Sequence, residues 1–478
     1  MKKLLLLLAP VLLFAQVEVD TVIRMPSFAL NGHFIPELNK LYVLGWYEHY
    51  ALDCSTWELL GRIPRSWNQG FGCYSWNWRR QKLYVSVNPS PDSLVVIDGI
   101  ADTLIRTLMW SGLGSAYVYS TDRLYRPVAD SFGAIDCASD SLVRGFPSPA
   151  SGYGFRNPSW DSVGNKLYVS LSAWGAPTKL AVYDCGNDSL RAIIDIPATS
   201  TWPTHIMNFN HALRKAYYGI DGLGGPAGVI DTKYDTVIKT FPFSAGHLYN
   251  GVALNTRDQK AYILGEDSIT GRSALYVIDC TTDTIMKMIS FPIKPWPVDL
   301  LRWVPWSNRI YLTRAQASSH QDLGMYVIDC NTDSIIVDNL VLGYYPPIDF
   351  QIDPIRERVF AIGFESTSVH VLRDTGYAGV AEAQPAGVMP KGNTRARVIN
   401  GRDGIEVEYQ LSTSARVKAS VFDATGRQFG KLDAGAQKPG LHRLSWGQDA
   451  AGRKLSAGAY FVRIDIGSEH ATLKAVVR

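Results

Sequence analysis

The chain has 478 residues, 46% of them hydrophobic, which is enough to bury a large core and too apolar for a disordered chain. Its 47 Lys and Arg against 44 Asp and Glu leave a net charge of +3 with no long basic run, which argues against a nucleic-acid partner. The length exceeds that of one ordinary domain.

Residues 1–15 read as a secretory signal peptide: Lys2 and Lys3 precede an apolar run from Leu4 to Leu8 that resumes from Val11 to Phe14, and Ala15 is a small residue suited to cleavage. The run is too short for a permanent transmembrane anchor, no later run is longer, and no Cys follows it to accept a lipid. The mature chain is expected to begin near Gln16.

From residue 16 to 374 the sequence repeats itself. Eight blocks share one pattern, beginning with NKLYV at Asn39 and ending with ERVFA at Glu357. Their aromatic positions are Tyr42, Tyr84, Tyr125, Tyr168, Tyr217, Tyr262, Tyr311 and Phe360, in steps of 41 to 49 residues. That spacing is the length of a four-stranded propeller blade. A second block follows each copy, as in VVIDG ending at Gly99 and YVIDC ending at Cys280. A turn, an Asp-Ser or Asp-Thr pair and an apolar strand then follow in most copies. The aspartates Asp53, Asp98, Asp136, Asp184, Asp231, Asp279 and Asp329 occur one per repeat, so they read as turn caps rather than calcium ligands. The last copy lacks an outer strand, whereas DTVIRM (Asp20 to Met25) stands before the first. This N-terminal strand is expected to complete the eighth blade and close the ring.

Five of the six cysteines, Cys54, Cys137, Cys185, Cys280 and Cys330, occupy equivalent repeat positions too far apart to bridge, and are expected to be unpaired, half-buried thiols. A Cys54–Cys73 bridge is the minor alternative. No CxxC or Cys/His cluster with zinc spacing and no cofactor motif is present, and His205, His247 and Asp299 could form a metal site only if the fold brings them together.

Propellers bind at the centre of one face, which places the candidate binding residues where inner strands begin. Fifteen residues before the last five repeat aromatics stand Tyr153, Trp202, His247, Trp296 and Tyr345. Twelve residues before them stand Arg156, His205, Asn250 and Asp299, with Asp349 one place out of register. Blades 1 to 3 offer Gly32, Gly72 and Ser115 in the comparable region, so a ligand should lean toward blades 4 to 8. Repeated aromatics also commonly pack between blades, and channel polar groups are commonly satisfied by water.

Residues 375–394 are rich in Gly, Ala and Pro and read as a linker. Beyond it, residues 395–478 alternate as strands around the turn Asp423-Ala424-Thr425-Gly426.

The serial KLYV and YVIDC blocks resemble the YVTN-type surface-layer propellers, whose typical members have seven blades. The FDATGR turn, Trp446, the segment from Leu455 to Phe461 and the terminal strand from Lys474 to Arg478 resemble the C-terminal sorting domains of type IX secretion and the related flagellar-hook-capping immunoglobulin-like modules. The fold expected is therefore all-β: an eight-bladed, alternatively seven-bladed, β-propeller followed by a small immunoglobulin-like β-sandwich. The resemblance implies a secreted or cell-surface protein whose C-terminal module is read by secretion machinery. A monomeric binding protein for a glycan, peptide or protein is the first functional expectation. A propeller lyase or hydrolase using His205 and Asp299 is the alternative, although no nucleophile elbow, HExxH or phosphate loop supports it.

Overall fold

The computed structural model describes residues 17–477 apart from 65–71, 88–92, 110–113, 129–130, 174, 197–203, 221–224, 246–250, 267–272, 292–300, 317–318, 343–345, 364–365, 375–394, 402–403, 412, 424–427, 447–457 and 468. The chain is all-β and divides into two compact units, residues 1–378 and 379–478.

In the first unit each repeat block is the second strand of a four-stranded antiparallel blade, from Lys40–Gly45 in blade 1 to Arg358–Gly363 in blade 8. Four blades are separate sheets, and the other four are fused in pairs into a seven-stranded and an eight-stranded sheet, giving eight blades among the described residues. Innermost strands touch one another in series, and the last, Pro347–Asp353, touches strand Val17–Ile35, so the ring is closed.

Strand Val17–Ile35 serves two blades. Its first half pairs with Ser366–Asp374, from Val17 opposite Asp374 to Arg24 opposite Ser368, and so supplies the missing fourth strand of blade 8. Its second half pairs with Lys40–Gly45 as the innermost strand of blade 1. The expected closure by Asp20 to Met25 is therefore present. At the rim, the outermost pairing of every blade carries a bulge, as between Val96 and Ile97 or Val277 and Ile278. Such a kink twists an edge strand out of reach of another edge.

The repeat aromatics explain themselves through the neighbouring blade. In blades 1 to 6 the Lys or Arg and the Tyr of the second strand both reach the Asp of the next blade's outer turn, and in blade 7 they reach Asp374 at the end of strand Ser366–Asp374 in blade 8. Lys82 and Tyr84 each lie 2.7 Å from Asp140, Lys215 and Tyr217 lie 2.7 and 2.8 Å from Asp283, and Lys260 and Tyr262 lie 2.7 and 2.6 Å from Asp333. The same clasp joins Lys40 and Tyr42 to Asp102, Arg123 and Tyr125 to Asp188, Lys166 and Tyr168 to Asp235, and Arg309 and Tyr311 to Asp374. Burial, reinforced by the facing carboxylate, holds these phenols far above their ordinary pKa, so each stays a hydrogen-bond donor. The clasp aspartates of blades 2 to 6 stand at φ between 52 and 58°, a left-handed turn position that Asp tolerates. The first aspartate of each turn caps it: Asp98 Oδ1 accepts the N–H groups of Ile100 and Ala101, and Asp231 Oδ1 those of Lys233 and Tyr234.

All six cysteines are unpaired. The expectation of half-burial needs correction for the repeated five, which are at most 1% exposed and pack with apolar side chains between blades. Their turn-end position faces the next blade rather than solvent.

The second unit holds two sheets. One comprises strands Arg395–Gly401, Gly404–Leu411 and Gly440–Trp446; the other comprises Gln428–Gln437, Ala415–Asp423, Gly458–Ile466 and Glu469–Val477. Val407, Tyr409, Val417, Val421, Trp446, Val462 and Ile464 form one core between them, as a β-sandwich requires.

Candidate channel wall and inner-strand ends

An innermost strand has a ladder partner on one side only, so its other edge forms the wall of the central channel. The structure places one side chain per blade opposite the repeat aromatic: His33, Ser75, Ala116, Ser159, Asn208, Ala253, Arg302 and Gln351. Each stands nine residues before its aromatic, at a constant offset in all eight blades. Several reach across to the next innermost strand. Ser75 Oγ donates to Ser115 O at 3.0 Å, Asn208 Nδ2 to Val252 O at 2.8 Å, and Arg302 Nε to Phe350 O at 2.8 Å. Gln351 Oε1 accepts the N–H of Phe34 at 3.4 Å. This girdle satisfies backbone groups that would otherwise face a narrow passage.

One rung further along, two residues past each aromatic, the wall reads Asn31, Cys73, Arg156, Ile206 and Asp349 in blades 1, 2, 4, 5 and 8. Arg156 and Asp349 do share a level. Blade 4 has a bulge between Arg156 and Ser159 that blade 8 lacks at that point, which is why Asp349 looked out of register when residues were merely counted.

The two differ in availability. Arg156 is exposed and makes no hydrogen bond or ion pair among the described residues. Asp349 is 4% exposed, and its carboxylate accepts the Gly32 N–H at 2.8 Å and the Gln351 amide at 3.0 and 3.1 Å. Burial pushes its pKa up while the Arg302 charge opposes that push. A Cβ at Gly32 would stand 2.4 Å from Ile362 Cδ1 of blade 8 and 3.0 Å from Tyr42 O, so a larger residue there would have to push the Ile362 side chain aside. Asp349 thus joins blade 8 to blade 1. Tyr153 is half-buried against the core between blades 3 and 4, and its hydroxyl donates to Pro177 O at 3.0 Å. His205 is the extra residue of a bulge between Thr204 and Ile206. Trp202, His247, Asn250, Trp296, Asp299 and Tyr345 lie outside the described residues.

Sequence reasoning missed the girdle, including His33 and Arg302, although its constant offset was countable. His33 is half-buried, stacked on Tyr74 at 5.6 Å, and its pKa is lowered to about 4, first by burial and then by the charge of Arg302. Cys73 touches solvent, yet surrounding protein pushes its thiol up against the opposing pull of a hydrogen bond at Gly114 and the charge of Arg126. Solvent contact combined with desolvation is what a narrow channel wall produces.

These features define a closed eight-bladed β-propeller carrying a separate β-sandwich. Comparison with known proteins agrees. Residues 392–468 match the FlgD Ig-like domain. No curated protein matches the chain. Among solved structures, BamB from Moraxella catarrhalis aligns with TM-score 0.52 and 8% identity, over 75% of this chain and all of that one. The dihydro-heme d1 dehydrogenase NirN in complex with DHE aligns with TM-score 0.55 and 12% identity, over 89% of this chain and 79% of that one. A europium-containing methanol dehydrogenase gives 0.54 and 10%, over 75% and 93%. At these identities the likeness shows the propeller fold, which hosts unrelated functions.

Proposed function

We propose that this chain is an exported, surface-displayed propeller that binds a glycan, peptide or protein at the end of its channel where inner strands begin, with its sandwich serving as the export address. One observation carries the binding reading. At the opposite end seven of the eight blade boundaries are nearly the same, and their Lys or Arg, Tyr and Asp side chains are consumed by inter-blade clasps. At the inner-strand beginnings the blades differ, from Asn31 and Cys73 to Arg156 and Ile206, and Arg156 is unengaged among the described residues. Sameness that is used up internally specifies a frame; difference that leaves the exposed Arg156 unengaged specifies a ligand.

The signal-like N-terminus, the likeness to YVTN-type repeats and the FlgD Ig-like match of residues 392–468 support export through a sorting system of the type IX kind. The test has two arms. Glycan and peptide arrays probed with the mature chain should yield a ligand whose binding falls on Arg156→Ala, and arrays without any such ligand refute the binding reading. Protease accessibility on intact cells should be lost when residues 379–478 are removed, and unchanged display refutes the address.

A further inference from the structure

Three consecutive blades concentrate chemistry on one arc of the channel wall. Arg302, Gln351 and His33 stand opposite Tyr311, Phe360 and Tyr42, on one rung of blades 7, 8 and 1. The guanidinium of Arg302 is laid across the free edge of strand Pro347–Asp353 by its Nε bond to Phe350 O. That single bond fixes the orientation of the planar group and leaves Nη1 and Nη2 with no acceptor among the described residues.

The neighbouring carboxylate does not neutralise it directly. Asp349 is held by Gly32 N–H and by Gln351 Nε2, and it forms no ion pair with Arg302 within 4.0 Å. Gln351 is in turn held by the Phe34 N–H. His33 closes the arc from the other side, fixed by its stack on Tyr74. Protonation of its ring is opposed by burial and by Arg302, so at neutral pH it adds a hydrogen-bonding ring and no second charge. A half-buried, oriented guanidinium with two free donors is a receptor for a planar anion.

We propose that this arc of the channel is a carboxylate-binding site, in which Arg302 Nη1 and Nη2 grip both oxygens of a ligand carboxylate beside His33. The site lies in the channel wall, and it does not require that the inner-strand ends bind anything. The carboxylate could belong to an acidic peptide or to a uronate sugar, and the chemistry at Arg302 is the same.

Isothermal titration of the mature chain with two matched pairs tests it: capped tri-glutamate against tri-glutamine, and tri-galacturonate against tri-galactose. At least one acid should bind roughly tenfold or more tightly than its neutral counterpart, and the pair that separates identifies the source. Arg302→Gln should abolish the separation, whereas Arg106→Gln, on an outer strand, should keep it. The proposal is overturned if neither pair separates or if the separation survives Arg302→Gln. Should Arg302→Gln fail to fold by circular dichroism, Arg302→Lys carries the test. It keeps the charge without the fork, so the acid-to-neutral ratio should fall at least threefold, and an unchanged ratio overturns the proposal.

Discussion

Trp57 meets Phe360 edge-on, with ring centroids 6.2 Å apart and planes at 73°. This pair stands where every other blade boundary has a Tyr–Asp clasp: Phe360 replaces the tyrosine of blade 8, and Trp57, at φ 65°, replaces the turn aspartate of blade 1. Arg358, the cation of that boundary, turns back to Asp20 of the N-terminal strand at 3.0 Å. At this boundary apolar contact takes the place of the clasp, while the Gly32 and Phe34 N–H groups still bond to Asp349 and Gln351 nearer the channel. Phe360→Tyr should cost about 1–3 kcal/mol, because its hydroxyl enters a fully buried site that lacks the clasp carboxylate. Adding Trp57→Asp supplies the acceptor, so the double variant should recover part of that loss. Urea unfolding of the four-member cycle measures the coupling, which is expected to be favourable.

The clasps should differ sharply in worth from surface pairs. Lys166 and Asp235 are 5% and 8% exposed, and Asp235 also accepts the Tyr168 hydroxyl. Asp235→Ala strands a buried cation and should cost about 3–5 kcal/mol. Asp195, which pairs with Lys179 but is 76% exposed, should cost about 1 kcal/mol or less when changed to Ala. Equal losses in the two variants would show that the clasps are ornaments of the turn rather than joints between blades.

The period of the KLYV block made eight repeats legible before any coordinates, and the missing last outer strand did the same for the closing role of Asp20 to Met25. What counting could not reach was register. Bulges between Arg156 and Ser159, Thr204 and Ile206, and Pro347 and Asp349 change how many residues separate the repeat aromatic from the start of the inner strand. Offsets of twelve and fifteen therefore drift between blades, while nine, counted before any bulge, does not. The clasp was hidden for another reason. Lys40 and Asp102 lie 62 positions apart, and nothing local in either residue announces a partner one blade away.

Thiol chemistry should separate one cysteine from five. Burial pushes Cys137, Cys185 and Cys330 up to about 12 and Cys280 up to about 11, and all four are sealed between blades. Cys73 touches solvent. A disulfide-exchange reagent at pH 8 should therefore modify one thiol in the folded protein and six after denaturation, with Cys73→Ser removing the early reaction. More than one fast thiol would place the repeated cysteines wrongly.

His33 predicts an acid sensitivity of defined sign. Its folded pKa is lowered to about 4 from an ordinary 6.5, so between those values the unfolded chain binds more protons than the folded one. Stability contributed by neutral His33 is present above pH 6.5 and is lost as pH falls toward 4. His370, lowered by burial, acts in the same sense. Melting temperatures from pH 7 to 4 should fall less steeply in His33→Gln than in the parent chain. An identical slope would mean that the ring protonates freely.

Removing residues 17–25 should do more damage than the loss of a surface strand usually does. The segment is the only ladder partner of the outer edge of Ser366–Asp374 among the described residues, and its Asp20 bridges Arg358 at 3.0 Å and Arg373 at 3.6 Å. Its first residue, Val17, pairs with Asp374, which is fully buried and accepts Arg309, the Tyr311 hydroxyl at 2.8 Å and the Ser307 hydroxyl at 2.5 Å. Stripping the strand wets that cluster, weakens the joint between blades 7 and 8, and leaves a bare strand edge. The shortened chain should lose several kcal/mol, of the order expected for breaking a buried ion pair, and should elute partly as larger species. A synthetic peptide of residues 16–26 added in trans should restore the melting temperature, and the same peptide with Asp20→Lys should restore less. If the shortened chain melts where the parent does and stays monomeric, ring closure through this strand contributes nothing to stability.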